Sequence, residues 1–155
     1  MPGAEYGPAK QWPIEYYVKL ANLLVDASWQ VWIVGSDKER AAGDEIAGTH
    51  TDGIYNLCGK TQLVDTVDLL AYARSVVCND SGLMHVAAAV GVKVNAIYGS
   101  STPEYTPPLM SSAEIFYIGM SCSPCFARAC KYGHYECLKE ISPENVFEKL
   151  ALDEY

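Results

Sequence analysis

Short apolar runs alternating with stretches of helical period constrain this chain more than any other feature. "QVWIVG", "IYNL", "SVVCN", "KVNAIYG" and "EIFYIG" read as short strands. Between them, Ile14, Tyr17, Val18, Ala21, Leu24 and Val25 recur at helical spacing to about Ser28, with Pro13 in the first turn. A second helix is predicted over 38–47. Thr61 is expected to cap a third, with Leu63, Val67, Leu70 and Ala71 on one side. Gly82 opens a fourth that buries Leu83, Val86, Ala87 and Val90 and stops at Gly91, and Ser142 caps a last helix begun by Pro143. Such alternation implies right-handed crossovers and a parallel sheet with helices on both faces, an α/β fold. The whole chain, 1–155, reads as one domain with a cysteine-bearing insertion at 120–140.

Half of the 155 residues are hydrophobic, enough to bury roughly 70% of the unfolded surface. Eleven Lys and Arg stand against 19 Asp and Glu, a formal charge of −8 with no basic cluster. That balance argues against a reader of nucleic-acid backbone or an electrostatic membrane anchor. Small anions remain open, because backbone amides bind them without net positive charge. No run approaches the roughly 18 apolar residues of a membrane span, and the N-terminus lacks a signal-peptide pattern. The expected location is the cytosol, where the six cysteines are thiols or metal ligands in preference to disulfides.

Ligands of open parallel sheets sit outside the carboxyl ends of the strands. Those ends carry Gly35-Ser36, Cys58-Gly59-Lys60-Thr61, Asn79-Asp80-Ser81-Gly82 and Gly99-Ser100-Ser101-Thr102, a polar rim. The turn in "VVCNDSGLMHVAAAVG" has two readings. Asp80 and Ser81 are good N-caps, and the amides of Ser81, Gly82 and Leu83 at a helix N-terminus also suit a phosphate. Neither GxGxxG nor GxxxxGK[ST] is present, so a standard dinucleotide fold and a P-loop are unsupported. Lys10, in "PGAEYGPAKQWP", is a solvated surface charge or, if its loop is another strand end, a cation facing that phosphate. Glu39 favours its helix dipole or accepts ribose hydroxyls. His85 reads as a surface or hydrogen-bonded side chain, Cys58 and Cys78 as buried hydrophobes, and Trp12, Trp29 and Trp32 as packing. No set of nucleophile, base and orienter emerges.

"PGAEYGPAKQWP", "VCNDSGLMHVAAAVG" and "YGSSTPEYTPPL", in this order and spacing, resemble the C-terminal half of bacterial ADP-heptose:lipopolysaccharide heptosyltransferases, glycosyltransferase family 9, most of all the heptosyltransferase II branch. The resemblance covers essentially the whole chain. It implies one Rossmann-like half of a GT-B enzyme, the half that holds the ADP-heptose donor. By motif, Lys10 would contact the phosphates and the amides around Ser81, Gly82 and Leu83 would cradle the pyrophosphate. Asp80 would hold heptose hydroxyls, Glu39 the ribose, and Lys60 and Thr61 would lie near adenine, with His85 in the same donor-binding set. The resemblance implies an inverting transfer to the inner core of lipopolysaccharide, with no cofactor required and the base in an N-terminal acceptor domain. No catalytic residue is therefore expected in this chain, which should be inactive alone, and the whole enzyme would be cytoplasmic, peripheral at the inner membrane. Chains of this family carry an apolar strand just before "PGAEYG"; only Met1 stands there, so the first strand and the acceptor domain are expected outside this sequence, leaving an unpaired gap in the sheet.

"CSPCFARACKYGHYEC" spaces Cys122, Cys125, Cys130 and Cys137 with His134 in reach. The set suits structural zinc, against which stand reduced thiols or fortuitous pairs. Two other functions remain in view: a stand-alone nucleotide or ADP-sugar binding module, and an interaction module organised by a zinc loop.

Overall fold

The computed structural model describes residues 1–48 and 52–151. In chain order the elements are α1 (Ile14–Asp26), β1 (Val31–Ile33), α2 (Arg40–Ala47), β2 (Ile54–Asn56), α3 (Leu63–Tyr72), β3 (Ser75–Asn79), α4 (Gly82–Val90), β4 (Lys93–Tyr98), β5 (Glu114–Tyr117), α5 (Glu136–Lys139) and α6 (Pro143–Ala151). Every strand pairing is parallel: Val31 stands opposite Ile54, Ser75 opposite Lys93, and Asn95 opposite Glu114. The α/β expectation therefore holds, but the sheet is in two pieces, β1-β2 and β3-β4-β5.

A cleft of about 340 Å³ separates the two pieces. Val31 and Ile33 line one wall and Val76 and Val77 the other, with Leu20 of α1 and Leu70 of α3 among the apolar lining. At Val77 the Met1 ammonium donates to the carbonyl at 2.9 Å, occupying the place of a ladder amide. Burial lowers the pKa of that ammonium.

Two cores flank the break. In the first, α1 buries Tyr17, Leu20, Ala21 and Leu24, one helical stripe, against β1, β2 and α6. Trp12 is fully buried there, its indole N–H donating to the Ile141 carbonyl at 3.0 Å and its ring edge-on to Tyr17. The second joins α4 to β3 and β4 through Met84, Ala87, Val94 and Tyr98.

Three local expectations need correction. α1 ends at Asp26, and Pro13 is its N-cap position, outside the first turn. α3 starts one residue later than a Thr61 cap requires: the Gln62 amide donates to the Asp65 carboxylate at 2.8 Å, whereas Thr61 Oγ1 contacts Thr66 Oγ1. Of its predicted apolar face, Leu70 is buried but Leu63, Val67 and Ala71 are exposed. The buried stripe of α4 is also rotated, to Met84, Ala87 and Ala88, with Leu83, Val86 and Val90 only half-buried.

Candidate functional site at the strand ends

Asp80 follows β3 directly, and its amide extends the ladder to the Ile97 carbonyl at 3.2 Å. Its side chain is only 4% exposed. A buried carboxylate needs partners, and this one has three. Lys10 Nζ lies 2.5 Å from Oδ2, Ser101 Oγ donates to the same oxygen at 2.6 Å, and Thr106 Oγ1 donates to Oδ1 at 3.1 Å. The side chain of Lys10 is 15% exposed and its ammonium is paired with Asp80, which removes the reading of a solvated surface charge. Lys10 arrives through a short 3-10 turn at Pro8–Lys10, clamped onto the end of β4 by the Ser100 amide donating to the Ala9 carbonyl at 3.0 Å. Gly99 permits that approach: a Cβ there would stand 2.7 Å from the Ala9 oxygen.

Asn79, fully buried, anchors the same loop from below. Its Oδ1 accepts from the Trp12 amide at 3.0 Å and the Tyr17 hydroxyl at 3.1 Å, and its Nδ2 donates to the Pro2 carbonyl at 2.8 Å. Asn79, Ser101 and Thr106 are site residues that motif reading did not assign. The 21 and 26 residues separating Ser101 and Thr106 from Asp80 leave no local signal beyond the polar texture of "GSSTPEYT".

The helix-capping reading of the opening turn does not hold. Ser81 occupies the N-cap position of α4 with no side-chain bond to the first turn, and Asp80 is committed to Lys10, Ser101 and Thr106. First-turn amides are left for something else, at the positive end of the helix dipole. Gly82 faces open space, with nothing within 4 Å of where a Cβ would stand. One turn on, His85 is half-buried and its Nδ1 is buried without a hydrogen-bond partner, so it is neither a free surface residue nor a satisfied one.

Glu39 stands at the end of β1, where Oε2 accepts from the Ser36 amide at 2.7 Å and hydroxyl at 2.6 Å. Its carboxyl carbon lies 3.0 Å from where a Cβ on Gly3 would be, so it abuts the loop that Asn79 holds. Lys60 and Thr61 follow β2, across the break in the sheet from Asp80. Lys60 Nζ donates to the Asn56 carbonyl at 2.8 Å, and no contact brings either residue to the Lys10–Asp80 pair.

Cys122, Cys125, Cys130 and Cys137 line one cavity of about 20 Å³ together with His134. Among the described residues no group of three or more His, Cys, Asp or Glu side chains is arranged to hold a metal ion. All six cysteines are free thiols. Backbone amides, that of Tyr135 foremost, lower the Cys130 pKa, while burial raises that of Cys137. His134 instead accepts the Glu136 amide at Nδ1 and stacks on Tyr132. Burial pushes the Cys78 thiol up to about 12, in keeping with an inert core residue.

Residues 1–136 match the profile of glycosyltransferase family 9 (heptosyltransferase). The chain belongs to this family. It is 42% identical over 153 residues to lipopolysaccharide heptosyltransferase 2 of Escherichia coli K12 and 43% identical over 154 residues to lipooligosaccharide heptosyltransferase 2 of Haemophilus influenzae. Each alignment covers 96% of this chain and 44% of the relative, so the family 9 chain spans under half the length of the proteins it matches. The solved structure of E. coli ADP-heptose lps heptosyltransferase II superposes with a TM-score of 0.85 at 41% identity, covering 97% of this chain and 44% of that one. No helix among the described residues is long and apolar enough to cross a membrane.

Proposed function

We propose that this chain is the donor-binding half of a heptosyltransferase that takes ADP-heptose and transfers heptose to the inner core of lipopolysaccharide. The observation that carries the reading is the uncapped first turn of α4, beside a buried, triply held Asp80 and the Lys10 ammonium. The amides of Gly82 and Leu83 are donors of the kind a diphosphate accepts from, and Gly82 leaves the approach open. Lys10 adds a point charge on the same side. His85, one turn into α4, belongs to the same proposed donor-binding set. In this reading Asp80 would exchange part of its present bonding for sugar hydroxyls, Glu39 would take those of the ribose, and Lys60 and Thr61 would border the adenine.

In an inverting displacement, negative charge grows on the departing ADP as the bond to the sugar breaks. Helix α4 and Lys10 are preorganised to stabilise that charge. The base that deprotonates the acceptor hydroxyl comes from a second domain, as does acceptor binding, in the cytoplasm. The cleft between β1 and β3 takes one further apolar strand of the whole enzyme, with ladder bonds on both edges. A stand-alone ADP-sugar binding module would use the same rim, and that open cleft weighs against it.

For the cysteine segment, zinc is a second reading favoured by one observation: backbone amides of residues 132–135 converge on Cys130, a setting that favours the thiolate a metal requires. One zinc per chain by elemental analysis carries that reading, and a metal-free protein with its thiols titratable contradicts it. The donor reading is tested by calorimetric titration with ADP, ADP-heptose and UDP. Saturable binding of the adenine ligands alone, weakened in Lys10→Ala, is expected, and equal binding of UDP contradicts it.

A further inference from the structure

The cysteine-bearing segment is tied to the end of β4. The amides of Cys125 and Phe126 both donate to the Ser100 carbonyl, at 3.0 and 2.7 Å, and Ser123 Oγ donates to the Gly99 carbonyl at 2.5 Å. It is tied as well to the loop that carries Lys10. The Arg128 carbonyl accepts the Ala9 amide at 3.0 Å, and the Phe126 carbonyl accepts the Tyr6 hydroxyl at 2.6 Å. The two backbones approach so closely that a Cβ on Gly7 would stand 2.5 Å from the Arg128 carbonyl oxygen. Ala9 and Ser100 also line the small cavity shared by Cys122, Cys125, Cys130 and Cys137. The segment thus buttresses the turn at Pro8–Lys10.

Tyr6 is where this buttress meets the Lys10 side chain. Lys10 Nζ lies 5.0 Å from the centroid of the Tyr6 ring, and the Arg128 guanidinium lies 5.2 Å from the same centroid. The ring is anchored through its hydroxyl on Phe126, so it is a fixed surface for the ammonium. The same ammonium lies 2.5 Å from Asp80 Oδ2. Holding a lysine head in one place opposes its rotamer entropy, and here a carboxylate and a ring do so together. Under the proposed function Asp80 gives up part of its bonding to the sugar, and the ring is then the contact that keeps Lys10 beside the diphosphate.

We propose that Tyr6 is a positioning residue for Lys10: its ring holds the ammonium toward the diphosphate, and its hydroxyl fixes the ring to the cysteine-bearing segment. The part that concerns the diphosphate rests on the reading of the strand ends as a donor site. The holding of Lys10 does not.

Competitive labelling and calorimetry on the full chain test it, with Tyr6→Leu and Tyr6→Phe. Tyr6 is 39% exposed, so both variants should keep the parent amide spectrum. In the labelling, which needs no ligand, lysines are acylated in competition and read by peptide mass spectrometry. Tyr6→Leu should speed modification of Lys10 about threefold against the other lysines, the scale of one exposed cation–π contact. Tyr6→Phe keeps the ring and should stay nearer the parent. In calorimetric titration, Tyr6→Leu should weaken ADP by a similar factor, leave adenosine unchanged, and have no further effect in Lys10→Ala. A merely structural role would weaken both ligands alike. Unchanged labelling of Lys10 in Tyr6→Leu, a Tyr6→Phe variant as impaired as Tyr6→Leu, equal loss of adenosine, or a loss that persists in Lys10→Ala would overturn the proposal. A parent chain that binds no ADP would count against the donor reading, and the labelling alone would then decide whether Tyr6 places Lys10.

Discussion

The Asp80 carboxylate is buried and held by three side chains. Removing Lys10 leaves a buried charge short of its counter-ion, so Lys10→Ala should cost about 3 kcal/mol by urea unfolding. Replacing both partners, in Lys10→Ala with Asp80→Ala, should cost less than the sum of the single changes; additive costs would mean the pair is not coupled. Ser101→Ala strips one donor from the same oxygen and should cost about 1–2 kcal/mol. Thiol reactivity provides a separate check. Backbone amides lower the Cys130 pKa and burial pushes Cys78 up to about 12, so alkylation near pH 8 should modify Cys130 first and spare Cys78 in the folded chain. Early labelling of Cys78 would show the strand-end core to be open. The polar turn at 79–82 was legible as a candidate site from its residue types. The allocation of those residues was not, because the capping reading weighs only local bonds and Asp80 takes its partners from residues 10, 101 and 106.

At the scale of elements, strand and helix identities followed from apolar runs and period, and all five expected strands form. Helix faces were less legible. α4 is apolar on nearly every side, so its sequence does not say whether Leu83 or Met84 faces the sheet, and burial against β4 decides for Met84. α3 shows the converse: Leu63 and Val67 of its expected stripe are 63% and 36% exposed, and Val64 beside them is 64% exposed. Val64→Lys should therefore change the stability of this chain by less than about 0.5 kcal/mol. The break between β1 and β3 has its own signature. β4 is paired on both sides, so its amides should exchange most slowly with solvent, and those of β1, paired only to β2, much faster. Equal protection of β1 and β4 would mean that the cleft is closed in solution.

The whole molecule spans under half the length of the family 9 proteins it matches. The rim carries Lys10, Asp80 and the uncapped first turn of α4, and under the proposed function the base that activates the acceptor belongs to a second domain. Incubated alone with ADP-heptose and acceptor, the chain should transfer no heptose, and transfer by the isolated chain would place the base within it. The most direct test of the central claim is an amide-resolved NMR titration of the chain with ADP. The account predicts that the amides of Ser81, Gly82 and Leu83 shift most and saturate together, followed by the loop at Lys10. Shifts confined to the cleft between β1 and β3, or none in a chain whose spectrum is that of a folded protein, would contradict it.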